Sequence, residues 1–124
     1  VVVATPQRVA LDDAIRAVRM FQQLNAPVLG IVENMSYLLT PGGESVDIFG
    51  RGGAMAAAQE LGLPFLGDLP MFTELRINSD SGNPTANFQG APALREALEK
   101  IVAVLAGEVS KRNLGNAALE LNIT

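Results

Sequence analysis

Asn34 carries the side chain best suited to reading a ligand: a carboxamide donates and accepts at once, which matches the N6/N7 edge of an adenine. It stands just after the apolar run Val28-Leu29-Gly30-Ile31-Val32 and the polar Glu33. A carboxamide at such a place also serves as a turn residue capping its own backbone, and position alone favours that reading. Asp12 and Asp13 are adjacent carboxylates, but consecutive helix positions point in different directions, so they suit a solvated first turn better than shared acid–base work. Gly50-Arg51-Gly52-Gly53 ahead of Ala54 could turn backbone N–H groups toward an anion. It lacks the Lys-Ser/Thr ending of a P-loop and reads as a flexible hinge. Met20, Met35, Met55 and Met71 read as packing residues, because thioethers alone are poor ligands for hard metals.

Composition removes other chemistries. The 124 residues include no Cys and no His, which excludes disulfides, thiolate or imidazole metal sites, cysteine nucleophiles and Ser-His-Asp triads within them. The net charge is −4 and the basic residues are scattered, so neither a nucleic acid nor a membrane is expected as partner. No apolar run approaches the roughly 18 residues that cross a bilayer, and no basic leader with a hydrophobic region opens the chain. A cytoplasmic protein with one domain core is the expectation.

The elements that position these residues follow from patterning. Val1-Val2-Val3-Ala4 is a β-branched run that begins as if inside a buried strand, so further sequence is expected upstream. After Thr5-Pro6-Gln7, Ala10, Ala14, Val18, Phe21 and Leu24 recur at helical spacing, with Asp12 and Asp13 expected in the first turns, and Asn25-Ala26-Pro27 ends the helix. Val28 to Val32 is a strand covered on both faces, with Glu33-Asn34 at its polar end. Ser36 to Gly53 is a long surface excursion with a turn at Pro41-Gly42-Gly43. Ala54 to Leu61 is an alanine-rich helix closed by Gly62, and Phe65 to Leu69 is a third strand stopped by Pro70. A helical turn over Thr73 to Ser79 and a loop over Asp80 to Pro84 lead to a last helix bearing Leu94, Leu98, Ile101, Val102 and Leu105, with an acidic start and a Lys111-Arg112 end. Residues 113–124 read as a peripheral tail in which Ala117, Leu119, Leu121 and Ile123 could dock, leaving residues 1–112 as the domain. Alternating strands and helices specify an α/β fold, a parallel sheet with helices on both faces, and ligands belong at the C-terminal ends of its strands.

One ordered set of motifs adds to this. Thr5-Pro6-Gln7-Arg8-Val9-Ala10, Asp13-Ala14, Met20-Phe21 and Pro27 through Tyr37 are followed by Ile48-Phe49-Gly50, Gly52-Gly53 and Phe65 through Pro70. Arg76, Asp80, Gly82 and Pro84 complete the set, and the whole resembles the Mrp family of P-loop ATPases over roughly residues 1–90. The resemblance implies the C-terminal half of a MinD-like P-loop NTPase fold. It further implies a homodimer that binds ATP and Mg²⁺ and carries a [4Fe–4S] cluster from scaffold to apoprotein targets. In that family a deviant Walker A loop with two lysines grips the phosphates, and no such loop occurs here. By the same resemblance Asn34 contacts the adenine edge, while Pro70 and Met71 line the base pocket through backbone and apolar contact.

Two positions depart from the pattern. The Cys-x-x-Cys pair through which many relatives hold a cluster between subunits falls on Thr40 and Gly43, neither of which is a soft anionic ligand. Phe72 stands where relatives often have an acidic residue. Two other functional readings remain beside the cluster-carrier ATPase: a MinD/ParA-type positioning ATPase that recruits partners, and a non-catalytic α/β dimerisation module. The first is disfavoured for membranes by the lack of a basic amphipathic C-terminal helix.

Overall fold

The computed structural model describes the backbone of residues 1–123 and the side chains of residues 1–117. In chain order the elements are β1 (Val2–Ala4), α1 (Arg8–Gln23), β2 (Ile31–Glu33), β3 (Leu38–Leu39), β4 (Ser45–Val46), α2 (Gly53–Leu61), β5 (Phe65–Asp68), α3 (Thr73–Asp80), a 3-10 turn (Pro84–Phe88) and α4 (Pro92–Ile123). A three-stranded sheet in the order β1-β2-β5 is parallel throughout, as the alternation of strands and helices required. The short β-branched and aromatic runs supply strands whose two faces must both be covered.

Helices cover them from opposite sides. On one face Val18 of α1 and Ala54 and Ala58 of α2 pack on Ile31, with Leu11, Leu61 and Phe65 around them. The alanines let α2 approach the sheet closely. On the other face Val32, Leu66 and Leu69 meet Ala97, Leu98, Ile101 and Leu105, the stripe of α4 that sequence spacing had marked in part. A valine, leucine or isoleucine fully taken out of water here, such as Val18, Ile31 or Leu66, contributes on the order of 1.5–3 kcal/mol before entropy is counted. Gly62 closes α2 in the left-handed conformation at φ 69°, and the Leu63 amide donates to the Ala58 carbonyl at 2.9 Å.

Four details differ from the sequence reading. Strand pairing with β5 starts at Ile31, not at Val28, because the first rung is the 3.0 Å bond from the Ile31 amide to the Pro64 carbonyl. The excursion after Ser36 contains an antiparallel hairpin, β3 with β4. Helix α1 begins at Arg8, which leaves Asp12 and Asp13 beyond its first turn, where Asp13 pairs with Arg16 at 3.5 Å in solvent. Finally, α4 runs on through Asn113 as far as Ile123, so Lys111 and Arg112 lie mid-helix and face no C-terminal dipole. No acidic residue stands in its first turn either. The stretch read as a separate tail is thus a continuation of α4, with Asn113 to Ala117 exposed. The docking expected of Leu119, Leu121 and Ile123 falls on side chains outside those described.

Candidate functional site

The C-terminal ends of β2 and β5 lie side by side, and backbone bonds fasten the segments that leave them. The Asn34 amide donates to the Ala4 carbonyl at 2.7 Å, the Leu69 amide to Glu33 at 2.8 Å, the Ser36 amide to Leu69 at 2.9 Å, and the Met71 amide to Tyr37 at 2.7 Å. Segments 34–38 and 69–71 therefore form one frame, extended by a parallel bridge between Leu38 and Met71.

Beside this frame is a cleft of about 470 Å³ lined by Asn34, Met35, Leu38, Pro70, Met71 and Phe72, and by Thr73, Leu75, Arg76 and Ser79 from α3. The structure thus brings Asn34, Pro70 and Met71 together from two strand ends. Asn34 Oδ1 accepts from the Met35 amide at 2.8 Å, which is the local cap expected of it. That bond uses an acceptor only. Among the described residues no partner takes the carboxamide NH₂, and Asn34 still lines the cleft. Met35 has φ 52°, a left-handed conformation rare outside glycine, and turns the chain sharply at this edge. None of the four methionines joins a core cluster: Met20 and Met55 are exposed, and Met35 and Met71 line the cleft.

Next to the cleft is a charged network that spacing did not reveal. Glu33, read as part of the polar end of its strand, is 0 % exposed. Its Oε1 accepts from the Ser36 hydroxyl at 2.7 Å and the Gly52 amide at 3.1 Å, and its Oε2 accepts from the Ala54 amide at 2.8 Å. The amides that enter α2 do hold an anion, and the anion is the chain's own carboxylate. Gly50-Arg51-Gly52-Gly53 is therefore a fastened joint and not a free hinge; Gly52 takes φ 91° to aim its N–H inward. The signal available in the sequence was a helix-entry glycine run and a strand-end glutamate, with nothing to connect them.

Arg51, on the same joint, donates from Nη2 at 3.0 Å and Nε at 3.2 Å to Asp68 Oδ2 at the end of β5, and its guanidinium lies 4.2 Å from the centre of the Tyr37 ring. Burial and then the Asp68 charge push the Tyr37 phenol above its ordinary value, while Arg51 pulls it down. The hydrogen bond to Asp68 raises the Arg51 guanidinium in turn.

The β3–β4 hairpin ends in the turn Thr40 to Glu44. The Thr40 amide donates to the Glu44 carbonyl at 2.9 Å, and Thr40 Oγ1 accepts from the Glu44 amide at 3.2 Å. Gly43 has φ 82° and donates to the Thr40 carbonyl at 2.9 Å. Thr40 and Gly43 are thus occupied in making a tight turn, and neither presents a metal ligand.

A parallel sheet with helices on both faces and a cleft at its strand ends defines an α/β protein of the kind that places ligands at the carboxyl ends of its strands. The ParA family model described as the NUBPL iron-transfer P-loop NTPase matches residues 1–106. The chain belongs to this family. It is 41% identical over 99% of its length to an iron–sulfur cluster carrier protein of Deinococcus radiodurans, and 46% identical over 89% to one of Synechocystis. It is also 51% identical over 68% of its length to the iron–sulfur cluster transfer protein NUBPL of Dictyostelium discoideum. These matches cover 35%, 32% and 26% of the relatives, so the chain spans about a third of their length or less. Among solved structures, a nucleotide-binding protein of Archaeoglobus fulgidus in complex with ADP is 33% identical, with a TM-score of 0.58 over 73% of this chain and 36% of that one. The family and the α/β fold expected from the motifs are both borne out. No helix among the described residues is long and apolar enough to cross a membrane.

Proposed function

We propose that the cleft at the ends of β2 and β5 is the adenine side of an ATP site, in a cytoplasmic ATPase that carries iron–sulfur clusters to apoproteins. The observation that carries this reading is the convergence of Asn34, Pro70 and Met71 on one largely apolar cleft, with the Asn34 NH₂ unspent. A planar base buries its faces against apolar side chains and backbone while the carboxamide reads its edge. The Archaeoglobus relative's complex with ADP and the iron–sulfur names of the other relatives agree with it.

These residues supply base recognition and not phosphoryl chemistry. The one helix entry that gathers amides toward an anion among the described residues is filled by Glu33, so it offers no cradle for phosphates and Mg²⁺. A Walker A loop from outside these residues supplies that grip in the whole protein, which acts as a homodimer. The [4Fe–4S] cargo is likewise not ligated by the hairpin, whose Thr40 and Gly43 lack thiolates, so its ligands come from elsewhere.

Asn34→Ala in the full-length protein tests the base assignment. ATP affinity is expected to fall about three- to tenfold, the worth of a hydrogen bond or two, with unchanged melting. Unaltered affinity with normal melting overturns the assignment.

A further inference from the structure

Helix α3 is unusual in that none of its eight residues is buried. One side of it is fastened to the chain between the 3-10 turn and α4: Asn78 Nδ2 donates to the buried Asn87 Oδ1 at 2.8 Å, and Glu74 Oε2 accepts from the Ala91 amide at 3.2 Å. Glu74 and Asn78 are one helical turn apart, so the side presenting Leu75, Arg76 and Ser79 is a different one, and it lines the cleft. A helix anchored by its polar side, with its other side facing a hollow instead of a core, is built to meet a ligand.

Of the side chains around the cleft, Arg76 alone is charged. The Ser79 hydroxyl is spent on the Leu75 carbonyl at 2.6 Å. Among the described residues Arg76 is held by Asp80 alone, at 3.3 Å, with the two side chains 67% and 70% exposed. An exposed pair of this kind adds little stability, so the guanidinium exchanges partners readily. A guanidinium is flat, weakly hydrated and attracted to the face of an aromatic ring. The surroundings of Pro70, Met71 and Phe72 suit a planar ring far better than a hydrated phosphate.

We propose that Arg76 leaves Asp80 when ligand enters and lies over the face of the bound purine, so that α3 clamps the base by cation–π contact while Asn34 reads its edge. This rests on the reading of the cleft as a base site. Binding of adenosine and of ATP to full-length protein, to Arg76→Ala and to Asn34→Ala separates the two. Arg76→Ala is expected to weaken adenosine and ATP by the same factor, about two- to fivefold. A loss for ATP with none for adenosine overturns the proposal, because Arg76 then serves the phosphates. If Asn34→Ala weakens adenosine and Arg76→Ala does not, the clamp is wrong and the base site stands. If neither variant alters adenosine binding, the base site itself is wrong and the clamp falls with it.

Discussion

Glu33 and Ala54 are 21 positions apart in sequence and 2.8 Å apart as acceptor and donor. That bond, with its neighbour from Gly52, puts a full negative charge at the positive end of α2 and fixes where the chain re-enters the core after the hairpin excursion. A buried carboxylate with three donors is stabilising only while all of them are present.

Glu33→Ala therefore leaves two amides without their acceptor and the Ser36 hydroxyl with only Asp68 Oδ2 at 3.5 Å. A loss of about 3 kcal/mol in a urea melt is expected. Glu33→Gln keeps one oxygen but points an NH₂ at an N–H donor, and about half that loss is expected. A loss under about 0.5 kcal/mol for Glu33→Ala, on the order of an ordinary surface change, contradicts the buried network.

Tyr37 is the sole tyrosine and there is no tryptophan, so the phenolate band reads this one group. Its midpoint is expected above the ordinary 10.0, and since the native state prefers the protonated phenol, that share of stability is complete below 10.0 and lost as pH rises through the raised midpoint. Arg51→Ala removes the charge that favours phenolate and leaves Asp68 unpaired, so it moves the midpoint higher still. A downward shift in that variant would show that Arg51 does not face the ring.

Gly30 admits no side chain. A methyl group there would stand 2.7 Å from the Pro64 carbonyl oxygen and 2.6 Å from Leu66 Cγ. That carbonyl holds the Ile31 amide and opens the pairing of β2 with β5, so it cannot yield without breaking the rung. Gly30→Ala is expected to cost about 3 kcal/mol in thermal or urea unfolding. Gly43→Ala, where nothing lies within 4 Å, serves as the comparison and carries only the strain of φ 82°.

Anaerobic addition of iron and sulfide to the purified chain is expected to give no thiolate-to-iron charge-transfer absorption, since it holds no cysteine. A stable iron–sulfide chromophore that survives desalting would overturn the argument that the chain, without cysteine, holds no cluster by itself.

The sheet and most helices were legible because they are written locally. Val1 to Ala4 and Phe65 to Asp68 are largely apolar runs, and Ala10, Ala14 and Val18 keep helical spacing. Asn34, Pro70 and Met71 were grouped by the family resemblance, and the rule that strand ends gather ligands in this fold agrees with that grouping. Glu33 could not, because a charged residue at a strand end is solvated unless something distant covers it, and its partners lie 19 and 21 positions on. The length of α4 was hidden by Gly107, Asn113 and Gly115, residues of low helix propensity that the helix nonetheless runs through. The place of α3 beside the cleft was hidden too: its eight residues show no buried stripe, because one side of it faces a hollow.

The Thr40 to Glu44 turn is closed by bonds among its own residues, while the frame behind it is closed by bonds between 34–38 and 69–71. The two sets share no donor or acceptor. Substitution at the hairpin tip can therefore accumulate in a lineage without disturbing the floor of the cleft. On the function proposed above, a change of cysteines to Thr40 and Gly43 alters cargo handling and leaves base recognition as it was, so the two are separately inheritable.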